Sequence, residues 1–185
     1  MLEESVKYIS DSVSDLEKSR IVLDWFESVE ALEMFKQLFE KIEFEPSNSK
    51  VKILSQIYTL FGTKEHVTDP NKYAVLETIA KLTNNQRVVF IASNEVRKES
   101  KDYSTGDLVE TTTAIWKSTI LDYIKNTQTL IGQIKGKVII DDELDIIFSF
   151  NLLVNLNVSH PHDSAYRLTG LGRMTFNYLR ETSQV

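Results

Sequence analysis

Apolar residues recur at steps of three and four along the N-terminal half of the chain, and this helical period constrains the fold more than any other feature of the sequence. The clearest run consists of Val22, Trp25, Val29, Leu32, Phe35, Phe39 and Ile42. Such spacing places side chains on one face of a helix, and it predicts that this face is buried. We expect a first helical zone over 4–43, interrupted near Ser14, where Ser14 and Glu17 have the spacing of a capping box.

Further helices follow this zone with short connections. Gly62 is expected to end the next helix in the left-handed conformation. Asp69, followed by a proline, is expected to cap a helix over 70–82, and a capping box that begins at Thr83 opens another helix. Helices joined by short connections are typical of a bundle, so the sequence predicts a helical bundle lobe over 1–100.

The polar stretch 97–107 is the expected boundary between this lobe and a second one over 107–185. The second lobe is predicted to begin with a long helix over 108–134, because Trp116 and several isoleucines recur there every three or four residues. The β-branched run 138–140 is then predicted to form a short strand.

The C-terminal part of the second lobe has local signals in the order that a winged-helix module uses. Asp141 or Asp142 is expected to cap a helix that runs to Leu156, and Asn157 is expected to close it in the left-handed conformation. Val158 and Ser159, a polar tip, and a strand over 166–168 form the predicted hairpin, and Thr169 is placed to cap a last helix. The predicted fold class is therefore mainly α: a helical bundle followed by a C-terminal winged-helix-like module with a small antiparallel β-hairpin.

A residue pattern in this module resembles a known family. Leu152-Leu153 precedes the helix end and the hairpin, and Tyr166-x-Leu168-Thr169-x-Leu171-Gly172-x-x-x-Phe176 follows. This resembles the C-terminal winged-helix-like segment of prokaryotic and phage proteins, including the Abi-alpha type of abortive-infection family. The resemblance covers the C-terminal module closely and the helices before it loosely. It implies phage regulation or antiviral defence as a context, and it brings no catalytic residues.

The charge of the chain is concentrated near its start. The 27 acidic and 21 basic residues give a net charge of −6, and residues 1–49 contain 12 acidic and 5 basic residues, a net charge of −7. Neither part of the chain has the basic stripe expected of a protein that neutralises phosphates. Glu27, Glu30 and Glu33 are candidate partner-binding residues, and the alternative is a solvated acidic helix face.

The predicted recognition helix also begins with acidic residues. Asp141, Asp142, Glu143 and Asp145 would repel DNA phosphates, whereas they stabilise a helix N-terminus through its dipole. We therefore favour a module that docks a partner protein, with Asp141 and Asp142 among its contacts. A winged-helix DNA-binding transcriptional regulator is the alternative. The residues available for a wing contact are His160, His162, Arg167 and Arg173.

The sequence does not indicate catalysis. It has no Cys, which excludes thiol nucleophiles and cysteine-bound metals, and it has no phosphate-loop, metalloprotease or nucleophile-elbow motif. The run from His160 to Asp163 is interpreted as a polar turn without a metal, and His66 as a surface loop residue. We expect a non-enzymatic, cytoplasmic regulatory protein without a cofactor or a membrane segment. Its expected partner is another protein or a second copy of itself.

Overall fold

The computed structural model describes residues 2–16, 18–99, 115–127, 140–155 and 165–182 of this 185-residue chain. The helices are α1 (Leu2–Asp15), α2 (Leu23–Phe26), α3 (Val29–Ile42), α4 (Asn48–Phe61), α5 (Lys72–Lys81), α6 (Asn84–Glu99), α7 (Lys117–Asn126), α8 (Ile140–Ser149) and α9 (Gly170–Thr182). The strands are β1 (Ile115–Trp116), β2 (Leu153–Asn155) and β3 (Ala165–Leu168). The protein is mainly helical with a small antiparallel sheet near its C-terminus, which confirms the predicted bundle and hairpin.

The chain forms two compact units. Unit 1 consists of Met1–Lys81 and Asn177–Val185, and unit 2 consists of Leu82–Phe176. This division differs from the predicted lobes over 1–100 and 107–185. Residues 97–99 of the predicted boundary stretch belong to α6, and the rest of that stretch lies outside the described part of the chain, so a boundary there stays a prediction.

The face that α3 of unit 1 buries coincides with the predicted stripe only in part, since Ile42 belongs to both and Phe35 and Phe39 are half-buried. Its fully buried side chains are Ala31, Met34, Leu38 and Ile42. Val29 and Leu32, both in the predicted stripe, are instead 72% and 54% exposed. The apolar residues of α3 occupy more than half of its circumference. The side that carries the small Ala31 is the one that packs against α4 and α5.

The helix ends of unit 1 correct two predictions. Ser14 lies inside α1, where its hydroxyl donates to the Ser10 carbonyl at 2.9 Å, so it does not begin a new helix. Gly62 does follow α4, but its φ of −87° is not left-handed. Glycine is required there for space, because a Cβ at Gly62 would lie 2.4 Å from the Phe26 ring and 2.7 Å from the Trp25 ring.

Unit 2 begins with the predicted capping box, which the structure confirms. The Thr83 hydroxyl accepts the Gln86 amide at 3.2 Å, and the Gln86 side chain accepts the Thr83 amide at 2.9 Å. Two amide groups that the start of a helix leaves without intrahelical partners are thereby satisfied. Helix α6 then packs against α7, α8 and β1.

The sheet of unit 2 has the antiparallel strand order β1-β3-β2. Ile115 faces Tyr166 across β1 and β3, and Leu153 faces Leu168 across β2 and β3. The described elements of this unit follow the order α6, β1, α7, α8, β2, β3, with residues 128–139 between α7 and α8 outside the described part of the chain. The predicted strand over 166–168 is confirmed as part of β3, which pairs with Leu153–Asn155, whereas Val158 and Ser159 lie outside the described residues.

Two other predictions for unit 2 are corrected within the described residues. The expected helix over 108–134 is confirmed over Lys117–Asn126 (α7), but Ile115 and Trp116 form β1 and the helix ends at Asn126. Ile140 belongs to α8 and not to a strand, and 128–139 lie outside the described residues. Local periodicity cannot detect that Ile115 and Trp116 pair with β3, since that pairing spans about fifty residues of chain.

Helix α8 ends at Ser149, earlier than the predicted Leu156. Asn151 takes the left-handed conformation with φ 56°, which asparagine tolerates. The Asn151 amide donates to the Phe148 carbonyl at 2.8 Å, and the Leu152 amide donates to the Ile147 carbonyl at 3.3 Å. This is a Schellman termination, with the buried Leu152 and Ile147 at its apolar contact positions. Asn157 lies outside the described residues.

The predicted cap of the last helix is confirmed. The Thr169 hydroxyl accepts the Gly172 amide at 2.9 Å at the start of α9, and it also donates to the Asn151 carbonyl at 2.5 Å. One side chain therefore caps α9 and ties it to the end of α8.

Candidate functional site

The three glutamates predicted to bind a partner have different surroundings. Glu27 is exposed at the end of α2. Glu33 is also exposed, and its carboxylate accepts the Tyr73 hydroxyl at 3.4 Å. Glu30 is engaged inside unit 1, since one of its oxygens accepts the Lys72 ammonium at 2.9 Å and the other accepts the Trp25 indole at 2.8 Å. Both oxygens of the Glu30 carboxylate are therefore already occupied by donors from the same unit.

The partner of Glu30 is a buried lysine that sequence reasoning missed. The Lys72 side chain is only 2% exposed. Its Nζ also donates to the Val67 carbonyl at 2.6 Å and lies 5.1 Å from the centroid of the Trp25 ring. Burial alone would raise the pKa of Glu30, but the hydrogen bonds from Lys72 and Trp25 and the lysine charge hold it below its ordinary value. This arrangement stabilises a buried cation and leaves it without an open face for chemistry.

A second polar group of unit 1 surrounds a histidine, and we call it the His66 cluster. It consists of Arg20, Glu65, His66, Asp69, Tyr178 and Glu181. His66 Nε2 lies 3.0 Å from Glu181 Oε1, and the imidazole packs on the Tyr178 ring with centroids 4.3 Å apart. The His66 side chain is 14% exposed, so its interpretation as a surface loop residue is wrong.

The other members of the His66 cluster bind each other in pairs. Arg20 donates to Glu65 at 3.1 Å and to Glu181 at 3.4 Å, and the Tyr178 hydroxyl donates to Asp69 at 3.0 Å. The second Asp69 oxygen accepts the Asn71 amide at 2.8 Å, just before α5. Burial, followed by the charge of Asp69, raises the pKa of Tyr178 far above its ordinary value, so the phenol is neutral and acts as a donor. The cluster holds the end of α9 within unit 1.

The His66 cluster predicts an acid dependence of stability. The hydrogen bond from His66, with the charges of His66 and Arg20, lowers the pKa of Glu181 below its ordinary value of 4.5. The stabilisation is therefore present above pH 4.5 and is lost as the pH falls from there through the lowered folded-state pKa. In Glu181→Gln, we expect the free energy of unfolding to fall less steeply as the pH decreases over this window. The slope should be smaller than that of the unmodified chain by a fraction of ~1.4 kcal/mol per pH unit, which is the slope that one full proton produces. Urea titrations at several pH values measure this slope.

A matched control for the acid experiment is Glu40→Gln, which changes an exposed carboxylate on α3. This variant is expected to keep the slope of the unmodified protein. Equal slopes for the unmodified chain and Glu181→Gln would contradict a role of the His66 cluster in acid unfolding.

In unit 2, the candidate functional site is the exposed side of α8, which we call the α8 face. It consists of Asp142, Asp145, Ile146 and Ser149, which are spaced by three and four residues and so share one side of the helix. Leu144 and Ile147 lie on the opposite side and are buried. Ile146 is 39% exposed, and no Lys or Arg occurs between residues 140 and 155. The α8 face is therefore acidic with one aliphatic contact.

The remaining predicted contacts are only partly described. Asp141 belongs to the first turn of α8, and Arg167 is exposed on β3. Arg173 is exposed on α9, and its guanidinium donates to the Leu168 carbonyl at 3.3 Å. His160 and His162 lie outside the described residues, as does the polar turn between them. Within the described part of the winged-helix-like unit, basic side chains thus lie beside the hairpin and not on α8.

Within the described residues, no group of three or more His, Asp or Glu side chains could hold a metal ion. Unit 1 contains a small, mostly apolar cavity of about 10 Å³, which has room for one water molecule. Its walls are formed by Ser12, Leu16, Gln56, Thr59, Leu60 and Thr182. None of the described helices is both long enough and apolar enough to span a bilayer.

No protein-family model matches this chain, and comparisons with characterised proteins and with solved structures found no match. The resemblance to the Abi-alpha type of protein therefore rests on the residue pattern alone.

Proposed function

We propose that this chain is a non-enzymatic protein-interaction protein whose winged-helix-like unit docks a partner protein through the α8 face. One observation carries the proposal: the helix that a DNA-reading module would place in the major groove exposes Asp142, Asp145 and Ile146 and has no basic residue. Carboxylates at these positions would meet phosphates with like charge, whereas beside an exposed isoleucine they suit a partner with basic and aliphatic side chains.

DNA binding is the second candidate function, and a specific observation favours it. The strand order β1-β3-β2 with helices α6, α7 and α8 is the scaffold that winged-helix DNA readers use. Arg167 on β3 and Arg173 on α9 are exposed and would supply backbone contacts. On this alternative, affinity would depend steeply on salt concentration.

Fluorescence anisotropy with a mixed-sequence DNA duplex, over about 50 to 200 mM salt, separates the two functions. We expect no specific binding by the unmodified protein. We expect Asp142→Lys with Asp145→Lys to create salt-dependent DNA affinity, since two repulsive charges become attractive. Binding by the unmodified protein that weakens in Arg167→Ala and Arg173→Ala would contradict the proposal and support a DNA-binding regulator.

Quantitative pull-down from the source cells tests protein docking directly. Ile146→Ser and Asp142→Lys are each expected to reduce recovery of a specific partner by about tenfold, because each removes about 1.4 kcal/mol or more of contact energy. Asp122→Lys, which reverses an exposed charge on α7, is the matched control and should keep the partner. Equal recovery by all variants would show that the α8 face is not the docking surface.

A further inference from the structure

Unit 1 exposes a group of aliphatic side chains that the predicted core had included, and we call it the α2–α3 patch. It consists of Leu23, Val29 and Leu32, which are 69%, 72% and 54% exposed. Val29 and Leu32 are three residues apart and share one side of α3, while Leu23 begins the adjoining α2. The buried side of α3 is already occupied by contacts with α4 and α5, so these three residues add nothing to the core.

The charges around the α2–α3 patch are nearly all negative. The exposed acidic residues of this segment are Asp24, Glu27, Glu33, Glu40 and Glu43. Residues 23–43, all of which are described, contain two basic residues. Lys36 is exposed, whereas Lys41 is half-buried and paired with Glu77 at 2.6 Å. The carboxylate of Glu30 is paired with the Lys72 ammonium at 2.9 Å, so its charge is offset. The patch is therefore aliphatic with a rim of net negative charge, in which Lys36, four residues after Leu32 on the same side of α3, is the basic member.

This rim argues against a second copy of the chain as the occupant. In a symmetric dimer the same patch would face itself, which would place acidic residues against acidic residues. This observation favours an occupant of opposite charge.

We propose that the α2–α3 patch docks an amphipathic helical segment of a partner protein, with aliphatic residues at three- and four-residue spacing between flanking Lys or Arg residues. Val29 and Leu32 would pack against the aliphatic side of that segment. Glu27 and Glu33 would attract its basic side chains and raise its rate of association. This inference shares with the proposed function only the premise that the chain binds protein. The two surfaces are separate, because the α2–α3 patch belongs to unit 1 and the α8 face belongs to unit 2.

Selection from a displayed library of random helical peptides against the full chain tests this inference. We expect the enriched peptides to carry Leu, Ile or Val at helical spacing together with a net positive charge. A consensus peptide is then synthesised, and its affinity is measured by fluorescence anisotropy. Val29→Ser with Leu32→Ser is expected to weaken binding by about tenfold or more, since it removes two aliphatic contacts. Glu27→Lys with Glu33→Lys is expected to weaken it by a similar factor at low salt.

The matched controls use another exposed part of unit 1. Val6 is 50% exposed on α1, and Glu3 is exposed on the same helix. Val6→Ser and Glu3→Lys should change the peptide affinity by less than about twofold. The α8 variant Asp142→Lys should also leave it unchanged, so that failure of this inference is distinguishable from failure of the α8 face.

Three results would overturn the inference. The first is enrichment of acidic or uncharged peptides, or no enrichment at all. The second is a consensus peptide whose affinity is the same for the unmodified chain and for Val29→Ser with Leu32→Ser. The third is a dimer, measured by light scattering, that this double substitution dissociates, because the occupant would then be a second copy of the chain.

Discussion

Replacing Gly172 with alanine is expected to destabilise unit 2 by about 2 to 3 kcal/mol. A Cβ at this position would lie 2.1 Å from the Leu152 carbonyl oxygen. That oxygen also accepts the Thr169 amide at 3.1 Å, so it cannot move away without breaking the link between the end of α8 and the start of α9. Thermal or urea unfolding of the full chain measures the loss.

Gly170→Ala is the matched control for this prediction. Gly170 begins the same helix, and a Cβ there would meet no atom within 4 Å. The substitution should be neutral or stabilising by up to about 1 kcal/mol, because alanine loses less backbone entropy in a helix than glycine does. Equal destabilisation by the two alanines would show that the close approach at Leu152 is not what requires glycine.

Glu30→Gln is expected to destabilise unit 1 by about 2 kcal/mol. The amide can still accept the Trp25 indole, but the Lys72 ammonium, which is 2% exposed, loses its opposite charge. An ammonium that is buried without a counter-charge carries a desolvation cost that the remaining bond to the Val67 carbonyl does not offset. Chemical unfolding of the variant and the unmodified chain measures the difference.

The reciprocal change, Lys72→Met, is the control. It keeps most of the buried volume and leaves the Glu30 carboxylate, which is 42% exposed and can be hydrated. We therefore expect a smaller loss, about 1 kcal/mol, and a double variant less destabilised than the sum of the two single ones. A greater loss for Lys72→Met than for Glu30→Gln would mean that packing or the Val67 contact, and not charge pairing, holds this group together.

The pattern that carries the family resemblance has a physical explanation in unit 2. Thr169 caps α9, and Gly172 allows the first turn of that helix to approach the Leu152 carbonyl. Leu168 and Phe176 are buried. The Leu-Thr-x-Leu-Gly run is thus accounted for by packing and capping in this chain. The pattern predicts the local structure well and carries no information about a ligand.

Candidate sites were harder to predict than helices. The acidity of α8 was evident from its sequence, and the structure adds that Asp142, Asp145 and Ile146 share the exposed side. Glu30 looked equivalent to Glu27 and Glu33 along the chain, yet its carboxylate faces a lysine 42 residues away. His66 had no signal of any kind, because its partner Glu181 lies 115 residues further on.

The features that depend on neighbouring residues were predictable from the sequence: the helical class, the capping box at Thr83, the cap at Thr169 and the charge of α8. These involve contacts over three or four positions, which side-chain chemistry specifies locally. The buried face of α3, the strand pairing of Ile115 and Trp116, and the pairing of Glu30 with Lys72 became known only from the folded structure. Those outcomes depend on packing between segments distant in the chain, and a helix with apolar residues on more than one side fits more than one packing until its neighbours are in place.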